Sequence, residues 1–304
     1  MNINIETRYF WLILSPLLLL TFASNVYAID FGFLGKASQA VSASQTGIKA
    51  YGSARKGFKD ITPEEEYYIG RAVTAQILTR YKLDRKAAQT AYLNQVGGYL
   101  LQFSTRPETF NGYHFSLIKS DQINAFAAPG GNIMVTTGLY RLLKNEEQLA
   151  AVLAHEIAHV SLQHGLSAIK KSNLTQAFTI IGKAGLDQTQ VGGNINQLTN
   201  VFNSSIDNIV NELVIKGYSR EQELDADAMA LGILYLSGYS LTGMEGFLLA
   251  LDNIKKTKSG TGFLKTHPPA DIRLKAVRKK MKSRQIAASS NTLRDKRFAG
   301  LSLK

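Results

Sequence analysis

The stretch from 145 to 165 constrains this chain more than any other. Ala150, Ala151, Val152, Leu153, Ile157 and Val160 make it apolar nearly all round. A helix of that kind must lie inside a protein core. Yet its centre reads His155-Glu156-Ile157-Ala158-His159, and ionisable groups in a buried helix are costly unless they find a partner. Asn145 is placed to cap the helix, with Gln148 at the capping-box position, and Gly165 can end it.

Residues four apart on a helix differ by about 40° in direction, so His155 and His159 project from one face, one turn apart. Zinc takes imidazole nitrogens at about 2 Å, and this spacing supplies two without bending the backbone. Glu156 lies on the flank, where it can reach a water at the metal instead of the metal itself, as the general base of a metal hydrolase does. The chain has no cysteine, so any metal must be held by histidine and carboxylate. His164 follows His159 by five residues. On a continuing helix it would point roughly 140° away, so it reads as a structural histidine or one that supports a ligand from outside.

The third ligand is expected from a second helix, opening at Ser219 with Gln222 as capping-box partner and ending near Gly238. Glu223 can close the site as a carboxylate ligand. Asp227, one turn on, can accept a hydrogen bond from the far nitrogen of a ligand histidine and fix its tautomer. Alone, these would be two solvated acids on a surface helix; beside the His155–His159 pair the ligand reading is stronger. Glu221 and Asp225 fall on the other side.

The rest of the chain frames this pair of helices. Residues 1–28 read as a signal peptide, with an apolar run over 10–23 broken at Pro16 and a cleavage site after Ala28, the alternative being a retained anchor. The mature protein is then exported, in a bacterial periplasm or a similar space. Residues 29–60 form a basic accessory arm. The net charge of +12 suits an anionic membrane surface better than nucleic acid in that compartment, and serves equally well simply to keep the protein soluble; no nucleic-acid partner is expected. A folded domain over 61–284 opens with Thr62 capping a helix and Pro63 in its first turn. A second helix covers 85–103. Short strands follow over 114–119, 123–127 and 132–137, with Pro129-Gly130-Gly131 as a turn. Residues 166–218 form a helical insertion, broken at Gly192-Gly193. It is as well suited to a lid as to a plain subdomain. A basic helix over 271–284 and a loosely ordered tail over 285–304 complete the chain. The fold class is α+β, mainly helical.

Four ordered motifs carry a resemblance over about 61–282. They are Asn124-Ala125-Phe126-Ala127 with Pro129-Gly130-Gly131, the His155–His159 motif, Glu223 to Asp227, and Thr266-His267-Pro268. Together they resemble the HtpX-type and CAAX-prenyl-protease-type gluzincin metallopeptidases. The resemblance implies two metal-bearing helices packed against a small sheet, one zinc per chain and peptide-bond hydrolysis. It implies that Asn124, Ala125, Phe126 and Ala127 form an edge strand that binds substrate as an added strand. It places His267 beside the metal, either as a donor to the substrate oxyanion or as a latch on the open metal position. Exported relatives without spanning helices degrade misfolded or misassembled envelope and outer-membrane proteins. The alternative is a chaperone-like envelope binding protein with a structural or latent metal site.

Overall fold

The computed structural model describes residues 61–168, 200, 203–257, 266–267, 270–283 and 291–303. The expected signal peptide, basic arm and most of the insertion, Gly192-Gly193 included, lie outside them.

Thr62 opens α1 (Pro63–Arg80) with a complete capping box: its side chain accepts from Glu65 N, and the Glu65 carboxylate accepts from Thr62 N. A short β1 (Lys82–Leu83) leads to α2 (Ala87–Leu101). Then come β2 (His114–Lys119), β3 (Ala125–Ala128), a 3-10 turn over Pro129–Gly131 and β4 (Asn132–Thr136). The strand order is β1-β2-β4-β3. β2 and β4 are parallel, and the two outer pairs are antiparallel. After α3 (Thr137–Leu142) the motif helix α4 runs Glu146–Ser161. Helical residues 203–211 pass into a π-helix, Glu212–Lys216. The chain continues through α5 (Arg220–Leu236), α6 (Thr242–Thr257), α7 (Ala270–Ser283) and α8 (Thr292–Leu301).

Strand alternation gives the sheet two buried faces. Phe115, Leu117, Ala125, Ala127, Ile133 and Val135 join the main core with α2 and the helices around α4. Ile118, Phe126, Ala128 and Met134 face the other way, onto Val73 and Ile77 of α1 and Ile206, Ile209 and Leu213 of the insertion's described end. The two sets alternate along each strand because successive side chains point to opposite faces.

α4 is buried from Glu146 to Val160. α2, α5 and α6 all pack on it. Its cap differs in detail from the expected box. Asn145 accepts from Gln148 N, but the Gln148 side chain reaches past Asn145 to accept from Lys144 N. Its end differs too. Gln163 takes a positive φ of 56°, so the helix stops before Gly165 and a 3-10 turn, His164–Ala168, follows.

The tail also departs from expectation. It carries α8, whose Phe298 is buried and stacks on Tyr140 with ring centroids 5.8 Å apart. Arg297 Nη2 donates to Glu146 Oε1 at 2.7 Å and Arg294 Nη1 to Glu147 Oε1 at 3.0 Å. Glu146 also accepts from the hydroxyls of Tyr92 and Tyr239. Apolar residues spaced through a basic tail, with arginines matched to two buried acids, order what charge alone would leave solvated.

Phe298→Ala is expected to lower stability by about 3–5 kcal/mol, read from denaturant unfolding. A loss below about 1 kcal/mol would show that α8 is not docked in solution.

Candidate metal centre

α4 and α5 bring the site together because they pack side by side. His155, Glu156 and His159 come from α4, Glu223 and Asp227 from α5, and all five are buried. α5 begins with the complete Ser219–Gln222 capping box, which fixes where Glu223 stands one turn later. His267 arrives from the segment before α7 and is also buried.

The donor atoms converge. His155 Nε2 and His159 Nε2 lie 3.0 Å apart. Glu223 places Oε2 at 3.5 Å from the first and Oε1 at 3.4 Å from the second. His267 Nδ1 is 2.7 Å from Glu223 Oε1. One donor from each of these four residues lies within 4.8 Å of every other, so the group could hold a metal ion. Zinc at 2.0–2.1 Å from its ligands needs donors about 3.3 Å apart, so the nitrogen and carboxylate set fits that ion.

Both α4 histidines turn Nε2 inward and Nδ1 outward. His155 Nδ1 lies 3.0 Å from Asp227 Oδ1. His159 Nδ1 lies 2.9 Å from His164 Nδ1. The expectation that His164 points away assumed a continuous helix; the turn at Gln163 instead folds it back against the outer nitrogen of His159.

Sequence reading missed Arg273, counting it only within the basic helix. Its Nε and Nη2 donate to the two oxygens of Asp227 at 2.7 Å each. Its Nη1 lies 2.9 Å from Glu223 Oε2, a charge contact without hydrogen-bond geometry. Arg273 is only 2% exposed. A signal was present. Ala270, Arg273, Leu274 and Val277 keep helical i, i+3, i+4, i+7 spacing, so the arginine falls within the apolar stripe.

Burial shapes the charges. It pushes the Glu156 carboxyl above its usual range, against the pull of His267 and His155. Burial and Arg273 oppose protonation of His155, but Asp227 and Glu223 outweigh them and raise it to about 9. Burial would also raise Asp227, but the Arg273 charge and hydrogen bonds from His155 and Arg273 hold it at about 2. Neither Glu156 oxygen has a hydrogen-bond partner.

Asn124 to Ala127 lie at the site's sheet edge. β3 is an edge strand of the sheet and contacts both α4 and the π-helix. Asn124 Oδ1 accepts from Thr266 Oγ1, next to His267, at 3.2 Å. All four residues are buried in this arrangement.

Two histidines one turn apart, a glutamate on the adjoining helix and an unpaired carboxylate beside them form a site of the kind typical of zinc metalloendopeptidases. The sequence profile of Peptidase family M48 matches residues 87–281, and the chain belongs to that family. It is 29% identical over 237 residues to the Beta-barrel assembly-enhancing protease of Yersinia pestis, covering 76% of this chain and 47% of that one. It is 26% identical to Metalloprotease YcaL of Escherichia coli K12, over 56% of this chain and 63% of the relative. The Mitochondrial metalloendopeptidase OMA1 of Schizosaccharomyces pombe is 22% identical over 77% of this chain and 66% of its own length. The chain thus spans about half the length of the first of these relatives.

Asp227 contributes stability that is fully present above its ordinary value of 3.8 and is lost as pH falls through about 2, since folding depresses its pKa. Metal-free Asp227→Asn is therefore expected to be less stable than the parent protein at neutral pH, with the gap closing toward pH 2. Denaturant midpoints across that range test it; a gap independent of pH would mean the carboxylate charge is not its source.

Proposed function

We propose that this chain is an exported zinc endopeptidase of the cell envelope that cuts extended segments of misfolded or misassembled envelope proteins, outer-membrane proteins among them. The observation that carries the chemistry is Glu156, a buried carboxylate with both oxygens unpaired beside the converging donors. The name of the similar Beta-barrel assembly-enhancing proteases supports the substrate class. In this reading residues 1–28 are removed on export, 29–60 rest on an anionic membrane surface, 61–284 form the peptidase with its insertion at 166–218, and 285–304 form a C-terminal tail.

His155, His159 and Glu223 would hold one zinc per chain. A bound zinc polarises the scissile carbonyl and acidifies the attacking water. Glu156 takes one proton from that water as its oxygen bonds to the carbonyl carbon. It then passes the proton to the amine nitrogen as the C–N bond breaks. Asp227 accepts from His155 Nδ1, which leaves the Nε2 lone pair directed inward. Asn124, Ala125, Phe126 and Ala127 would pair with the substrate backbone once their edge is uncovered.

For His267 we favour the latch over the oxyanion role. Its bond to Glu223 and its place among the four donors support a histidine that fills the open position until substrate displaces it. The buried state of β3 supports the same latent form. The chaperone-like alternative, with a purely structural metal, leaves the unpaired Glu156 without a purpose.

Metal analysis and casein digestion on the mature chain separate these roles. Glu223→Ala is expected to lose zinc. Glu156→Gln is expected to keep zinc and fold while losing at least ~100-fold in turnover. Full zinc retention in the first, or near-parental turnover in the second, would overturn the assignment. His267→Ala is expected to keep zinc and raise basal digestion; a fall in turnover would return it to the oxyanion role.

A further inference from the structure

Tyr218 belongs to none of the four motifs. It stands where the insertion joins α5. Its ring lies face to face with the His159 imidazole, centroids 4.0 Å apart and planes 14° apart. The rings of His164 and His267 stand 5.8 and 6.1 Å away. The residue is 5% exposed, and its hydroxyl has no hydrogen-bond partner. A buried hydroxyl left unpaired is costly, and buried tyrosines ordinarily find a partner. The outer nitrogens of both α4 histidines have partners; the Tyr218 hydroxyl, both Glu156 oxygens and Glu223 Oε2 have no hydrogen-bond partner. Beside the donor set, an unpaired hydroxyl donor is free to meet a polar atom of a bound substrate.

The backbone is built to seat this side chain. Gly217 takes φ 84° and ψ 169°, a region that essentially only glycine occupies. A Cβ there would lie 2.1 Å from Thr266 O. The close approach lets Tyr218 N donate to Thr266 O at 3.1 Å. On its other side Ser219 caps α5. Tyr218 is therefore pinned between the His267 segment and the helix that carries Glu223.

We propose that the Tyr218 hydroxyl donates a hydrogen bond to the scissile carbonyl oxygen as its carbon turns tetrahedral. This rests on the peptidase reading above. A phenol keeps its proton at neutral pH and so remains a donor. It transfers none: the water proton travels through Glu156 to the amine, and Tyr218 only bonds the oxygen that gains negative charge. Such a donor, fixed in advance where charge develops, acts on the transition state more than on bound substrate.

Tyr218→Phe keeps the ring and its stacking and removes only the hydroxyl. The zinc-loaded protein is measured four ways: zinc content, melting temperature, kcat/KM on a fluorogenic peptide, and calorimetric affinity for a phosphonamidate peptide, whose tetrahedral centre carries the charged oxygen. The matching cleavable peptide is titrated in a Glu156→Gln background. Zinc content and melting temperature are expected to hold. Turnover and phosphonamidate affinity should both fall about 100-fold, with peptide affinity changed less than about threefold. Phosphonamidate affinity within about twofold of the parent, or equal loss for both ligands, would overturn the proposal. Undiminished turnover in Glu156→Gln alone would instead sink the Glu156 mechanism, and the phosphonamidate comparison would still judge Tyr218.

Discussion

Arg273 carries a charge into a place where water does not reach. Removing a guanidinium and two carboxylates from water costs several kcal/mol per ion, and only close pairing offsets it. Here the pairing is a fork on Asp227 and a contact with Glu223. That geometry ties α7 to α5, because neither helix can shift without leaving charges unmatched. It also reaches the donors themselves. Asp227, fixed by the guanidinium, orients His155; Glu223, balanced by the same guanidinium, faces both α4 histidines. The arrangement trades stability for position, as a site that must keep its atoms within tenths of an ångström requires.

The sheet plays the complementary part. Its two buried faces make it a partition between the main core and the smaller one beneath the insertion's described end. β3 lies at the border, alternating Ala125 and Ala127 into one core with Phe126 and Ala128 into the other. Three alanines keep this strand thin, so backbone rather than side-chain bulk dominates the edge next to the donors. The tie from Thr266 to Asn124 joins that edge to the His267 segment.

What the sequence disclosed follows how local each cause is. Capping residues at Thr62, Asn145 and Ser219 mark helix starts because their partners lie three residues away. The spacing of His155 and His159, and of Glu223 and Asp227, is likewise a property of one helix. Alternation in 114–119 was legible for the same reason, though Ile118 is buried on the face shared with His114 and Ser116 because a second core lies there. Arg273 and Tyr218 were not singled out, since each owes its place to packing between distant segments. His164 was misplaced in direction because a positive φ at Gln163, which no local glycine announces, ends the helix early. The tail was misjudged because its arginines read as solvated in isolation and acquire partners only against the buried acids Glu146 and Glu147.

That last pairing has a consequence in time. Chains are made from the N-terminus, and segments pack as their partners emerge. The acids at the start of α4 receive their counter-charges from α8, which leaves the ribosome long after α4 itself. Until then Glu146 and Glu147 lack those counter-charges, so the first turn of α4 is held in the core less firmly than its apolar centre. The first turn of α4 is thus completed only when the last described helix docks, which joins the end of the chain to its middle.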